Sequence, residues 1–150
     1  MTKIELTTLI KASAERCFDL SLDVNIHKIS TSHTKEFVLK GRQKGIFEEG
    51  EVVTWRAKHF GIWQNLTGKI SEVKRPYFFK DEMLEGAFKS LRHLHNYSFE
   101  NGITTMKDTL EYETPYGVFG KLFDIFILKK YMTNFLKKRN EVIKAEAENK

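Results

Sequence analysis

From Ile4 to Ile10 apolar and polar residues alternate: Ile4, Leu6, Thr8 and Ile10 on one side, Glu5 and Thr7 on the other. That period of two predicts a half-buried strand with the first set facing inward. Ser13 ahead of Ala14, Glu15 and Arg16 reads as a helix cap, and Cys17, Phe18, Leu20 and Leu22 supply the buried side of a short helix. Asp23 or Asn25 starts a second short helix carrying Ile26 and Ile29. Strand patterns return at Thr34 to Leu39, Glu51 to Phe60, Ile62 to Val73, Tyr77 to Met83, Phe88 to Glu100 and Thr104 to Thr114. Gly41, Gly45, Gly61, Pro76 and the Asn101-Gly102 pair separate them, the last a strong hairpin signal. About seven strands joined by short turns predict a curved antiparallel meander.

After Pro115 and Gly117 the period changes, and one helix is predicted from about Val118 to Glu146. Leu122, Ile125, Met132, Phe135, Arg139 and Ile143 recur at helical spacing, and Phe119, Phe123, Phe126 and Tyr131 widen the stripe. Residues 122–128 are apolar almost all round. That stretch is too short to span a bilayer, so it is either buried on several sides or presents a sticky surface. Burial against a concave sheet is the simpler expectation. At about 1.5 Å per residue the helix is roughly 40 Å long, enough to cross the sheet. A sheet bent around such a helix leaves a hollow, the usual form of a small-molecule site.

The 150 residues fit one domain, 1–150, with 41% hydrophobic and 30% charged residues. Twelve phenylalanines stand out in an otherwise ordinary soluble composition. The alternating N-terminus lacks the apolar core of a secretory leader, and the single Cys17 forms no internal disulfide, so a cytoplasmic location is expected. The net charge is +5, and residues 118–150 carry eight Lys/Arg against four Asp/Glu. Lys129, Lys130, Lys137, Lys138 and Arg139 then read first as the solvated face of the helix. An anionic membrane, nucleic acid or an acidic protein are the other partners such a charge would suit. Nucleic acid is disfavoured, because no basic motif with interleaved aromatics is present.

Residues two apart on a strand share a side, so Leu91, His93, His95, Tyr97 and Phe99 point together. If that side faces inward, the next strand sets Met106, Asp108 and Leu110 opposite, and Asp81 approaches from the other flank. Three readings follow: His–Asp hydrogen bonds that satisfy buried polar groups, polar anchors for a ligand, or two His and a carboxylate around Zn or Fe(II). The first is the ordinary one, and no metal or other cofactor is expected. Trp55 is expected inside, while the parity of Trp63 is open because Gly61 can reset it. The expected wall of the hollow is Trp55, Phe79, Asp81, Met83, His93, His95, Tyr97, Met106, Asp108, Leu122, Phe123 and Phe126. His27, His33 and His59 read as loop or edge residues. Hydrolase elbows and phosphate-binding glycine loops are missing, and Cys17 has no sequence-adjacent base.

The motif string Phe79-x-Asp81, Gly86-x-Phe88, His93-x-His95-x-Tyr97, Thr104-x-Met106-x-Asp108 and Tyr112-x-x-Pro115-x-Gly117-x-x-Gly120 resembles a small bacterial branch of the START-related SRPBCC superfamily. That superfamily also includes the birch pollen allergen and polyketide cyclases. The resemblance covers nearly the whole chain, and the branch's members are mostly labelled ligand-binding or cell-division-inhibitor-like. Tyr97 stands where that branch usually has Phe. The resemblance implies an α+β helix-grip fold, a curved seven-stranded antiparallel sheet with two short helices wrapped around a long C-terminal helix. It also implies a hydrophobic cavity that holds a lipid-like or polyketide-like molecule. Two alternatives come with it. One is a cyclase or aromatase using His93, His95, Asp108 and Tyr97. The other is a module that contacts a protein or the ribosome through the basic helix, as some relatives do.

Overall fold

Seven strands hydrogen-bond into one antiparallel sheet in the order β1-β7-β6-β5-β4-β3-β2. The computed structural model describes residues 1–149. The strands are β1 (Thr2–Ile10), β2 (Phe37–Lys40), β3 (Val52–His59), β4 (Ile62–Lys74), β5 (Phe78–Glu85), β6 (Ser90–Glu100) and β7 (Ile103–Glu113). β2 to β7 form the expected meander, whereas β1 crosses to the far edge and pairs with β7 along its whole length. The connection from β1 to β2 carries α1 (Ala14–Ser21) and α2 (Val24–Ser30). Ser13 caps α1 by accepting from the Arg16 N–H, and Asp23 caps α2 by accepting from the N–H groups of Asn25 and Ile26. Ser13 is the cap expected there, and of the two candidates for the second helix it is Asp23, not Asn25, whose side-chain oxygen satisfies the first-turn donors.

The Asn101-Gly102 hairpin has φ values of 53° and 79°, the left-handed pair of the tight turn expected there. Phe60 and Gly61 do the same between β3 and β4, with φ of 53° and 75°. A phenylalanine in that region is strained by about 1 kcal/mol or more, and its ring is held 4.5 Å from Tyr131 and 5.6 Å from Phe123. Two register shifts in the β4–β5 pairing interrupt the ladder, the kind of irregularity that bends a strand. On the concave face Phe18 of α1 meets Phe79 and Tyr97 edge-on, with centroids 5.4 and 5.3 Å apart. Ile10, Val24, Val53, Met106 and Ile143 complete that core, and a second core gathers Ile4, Leu110, Tyr112, Leu128 and Leu136.

The C-terminal helix departs from its expected phase. It consists of α3 (Gly117–Phe123), a π-helical turn (Asp124–Leu128) and α4 (Lys129–Glu148). Interior positions along it run Gly120, Asp124, Leu128, Met132, Leu136 and Asn140, four apart. A π turn accommodates an extra residue, so a 3.6-residue stripe extrapolated back from Ile143 lands on the wrong side. Leu122, Ile125 and Phe126 consequently face outward at 48%, 69% and 76% exposure, and the expected burial of residues 122–128 on several sides is not found. Asp124 lies inside instead, accepting hydrogen bonds from the hydroxyls of Thr2 and Tyr112. Among the described residues no helix is long and apolar enough to cross a membrane.

Candidate functional site

Between the inner face of the sheet and the helix lies a hollow of about 970 Å³. Val53, Trp55, Leu66 and Leu91 line it from the strands, and Phe123, Ile127 and Leu136 from the helical side. At one end an aromatic group of Phe60, Phe123, Tyr131 and Phe135 gathers around His59, whose Nδ1 lies 2.6 Å from the Tyr131 hydroxyl. His27 stacks on Trp55 at 4.2 Å and is hydrogen-bonded to Glu36. Both His27 and His59 border the hollow, which corrects their reading as loop or edge residues. Burial lowers the His59 pKa, opposed in part by the Glu36 carboxylate, which also borders the hollow.

The polar part is built by register. β5, β6 and β7 set Asp81 across from His93, Phe79 across from His95, and His95 across from Asp108. The two imidazoles stack with centroids 3.6 Å apart, and Phe79 covers His95 at 3.9 Å. His93 Nε2 donates to Asp108 Oδ1 at 2.7 Å, and His95 Nε2 donates to Asp81 Oδ2 at 2.8 Å. From α4, Asn140 Nδ2 donates to Asp108 Oδ2 at 2.7 Å, and Arg139 Nη1 lies 3.6 Å from Asp108 Oδ1 and 3.0 Å from the Asn140 oxygen. Arg139 Nη2 sits 3.5 Å from His95 Nδ1.

Burial alone would raise the Asp108 pKa, but the hydrogen bonds from His93 and His95 and the nearby Arg139 charge hold it well below the usual carboxylate range. Asp81 balances in the same way, with burial opposed chiefly by His95, and ends below its ordinary value. Burial, then the neighbouring His95, lowers the His93 pKa despite the Asp108 hydrogen bond. The floor therefore holds two carboxylates, a guanidinium and a neutral His93.

Of the residues expected to form the wall, Trp55, Phe79, Asp81, His93, His95 and Phe123 border the hollow. Tyr97 and Met106 are buried beneath it in the apolar core, and Asp108 is buried there as the acceptor for His93 and Asn140. Met83 is half-buried beside Gly86 and away from the lining, and Leu122 and Phe126 point outward for the phase reason given above. Trp63 also faces out, under the Arg56 guanidinium. Arg139 and Asn140 complete the polar floor, which corrects the reading of Arg139 as part of the solvated basic run. Its place on the apolar stripe with Ile143 is the signal that it turns inward. Asp81, His93 and His95 can bring one donor atom each within 4.8 Å of one another. The imidazole planes, however, are only 24° apart and stacked. One ion cannot lie in the plane of both rings without their reorientation, and Arg139 adds a positive charge beside them.

Among the described residues the buried Tyr97 hydroxyl makes no hydrogen bond, because the neighbouring Ser21 hydroxyl is directed to the Cys17 carbonyl, and burial raises its pKa. An unsatisfied buried hydroxyl costs about 1–3 kcal/mol, so Tyr97→Phe is expected to leave the protein equally or more stable. A urea unfolding series checks this, and a clear loss of stability would show that the hydroxyl is satisfied in solution.

No family model matches the sequence, and neither does any curated protein. Solved structures do match over nearly the full length of both chains. TTHA0849 from Thermus thermophilus has a TM-score of 0.76 at 19% identity, covering 97% of this chain and 99% of its own. A START superfamily protein from Mycobacterium smegmatis has 0.72 at 14%, and ginseng major latex-like protein 151 from Panax ginseng 0.70 at 17%, each covering 97% of both chains. With its seven antiparallel strands, two short helices and long C-terminal helix, the chain has the helix-grip fold of the SRPBCC type.

Proposed function

We propose that this protein reversibly binds a small apolar or amphipathic molecule in the hollow between sheet and helix. The observation that carries this reading is the hollow itself, about 970 Å³ with predominantly aliphatic and aromatic walls and a cluster of polar groups at Asp81, His93, His95 and Arg139. That size and a mainly apolar lining with a few polar groups suit a small-molecule site. The fold shared with a START superfamily protein supports the same reading. Burying about 300 Å² of apolar ligand surface at about 25 cal/mol per Å² yields roughly 7 kcal/mol before ordering costs. Micromolar affinity is in that range.

The test is displacement of an environment-sensitive fluorescent probe by a panel of fatty acids, alcohols, amines and flavonoids, with native mass spectrometry of the purified protein. Leu66 and Leu91 both border the hollow, so replacing them together by tryptophan is expected to weaken binding about tenfold or more by occupying ligand space. The unfolding midpoint should stay near that of the unsubstituted protein. A panel of diverse molecules with no binder would overturn the proposal.

A further inference from the structure

We infer, resting on the ligand-binding reading above, that the hollow selects guests whose polar end donates hydrogen bonds, an amine foremost, and rejects carboxylates.

An ionised carboxylate only accepts, so Asp108, which faces His93 Nε2 at 2.7 Å, requires the proton on that nitrogen. Neutral His93 then carries a bare lone pair on Nδ1, which has no protein donor among the described residues. Asp81 is engaged through Oδ2 by His95, while Oδ1 has no hydrogen-bond partner among them. The Asp81 side chain is 32% exposed, and both residues border the hollow. Two acceptors, one of them charged, are therefore presented to a guest. They remain open whichever way His95 shares its second nitrogen with Asp108 and Arg139.

The donor that could have suited a carboxylate guest is Arg139, and it is committed elsewhere. Its Nη1 serves Asn140 and lies near Asp108, its Nη2 approaches His95, and the residue is 6% exposed. A carboxylate entering the floor would meet Asp81 at close range, with Arg139 occupied and the other lining lysine or arginine, Lys69 on β4, exposed to solvent. An ammonium would meet a carboxylate oxygen and an imidazole lone pair, and its apolar chain would lie along Trp55, Leu66 and Leu91. A hydroxyl can donate only one of these bonds and should rank between the two.

Decylamine, decanol and decanoate share a chain and differ in the head group, so competition against one fluorescent probe at pH 7.5 isolates the floor. The expected order is amine, alcohol, acid, with the amine about tenfold or more tighter than the acid, in line with charge-assisted hydrogen bonds at a desolvated site. Asp81→Asn should narrow the preference for decylamine over decanol about tenfold, because only the amine loses a charge-assisted contact. An unchanged unfolding midpoint in the variant reports an intact fold. Equal affinities for all three, or a preference for decanoate, would overturn this inference and leave ligand binding standing. Failure of all three to bind would remove both.

Discussion

Asp108→Ala is expected to destabilise the protein by about 3–5 kcal/mol, the usual cost of removing one partner from a buried ion pair. Asp108 is fully buried on β7 and accepts from His93 and Asn140, with Arg139 and His95 Nδ1 within 3.6 Å. Truncation strands a buried guanidinium and two buried donors together, and a cavity adds to the loss. Asp108→Asn keeps the volume and one carbonyl, so its cost should be smaller. The pH profile separates this mechanism from simple packing. Unfolded chains protonate carboxyls near the ordinary value of 3.8, whereas folded Asp108 resists well below it. Its contribution is therefore complete above about 3.8 and is lost as pH falls toward the folded value. His93 is also depressed, from an ordinary 6.5, so the unfolded chain takes up that proton first and stability begins to fall below about pH 6.5. Urea midpoints in the unsubstituted protein should show both phases, and Asp108→Ala should lack its share of the lower one. A loss under about 1 kcal/mol would sink the picture of Asp108 as the hub of the floor.

Gly120→Ala is the second large effect. A Cβ at Gly120 would collide with the Pro115 carbonyl oxygen and lie 2.9 Å from Thr114 Oγ1. The chain reverses there from β7 into α3 through Tyr116 and Gly117, both at positive φ, so the backbone is already committed to one path and cannot retreat cheaply. We expect α3 to be pushed off the end of β7 at a cost of about 1–3 kcal/mol or more, as for other overpacked sites. Because α3 and the π turn roof one end of the hollow, probe release should also accelerate. Thermal unfolding together with stopped-flow release of the fluorescent probe measures both. Unchanged stability would mean that the reversal is softer than the close approach implies.

Much of the fold was legible because it rests on local chemistry. The β1 alternation, the Ser13 and Asp23 caps, the Asn101-Gly102 turn and the Pro115-x-Gly117-x-x-Gly120 string all act within a few residues. The motif string also kept Gly120 in view, although only the three-dimensional contact with Pro115 explains it. The pairing of His93 and His95 on one side followed from strand parity. What escaped was whatever needed a distant partner. Asp124 is a charged residue in an apolar run, and nothing local announces that Thr2 and Tyr112 will receive it. Arg139 looks solvated beside Lys137 and Lys138 until the strands bring Asp108 beneath it. His27 and His59 gain their places from Trp55 and Tyr131, more than twenty residues away in each case.

The π turn works as a one-residue gear. Downstream of it α4 is geared to the sheet through Leu136, Arg139 and Ile143, while upstream α3 is geared to β7 and the N-terminal strand through Gly120 and Asp124. Losing a single residue between 124 and 128 would rotate one train about 100° against the other. Phe126 and its outward neighbours would be carried round the axis and Asp124 swung off its hydroxyls. Insertions and deletions are thus tolerable in the outer loops of this protein, but in those five positions chain length itself is a structural parameter.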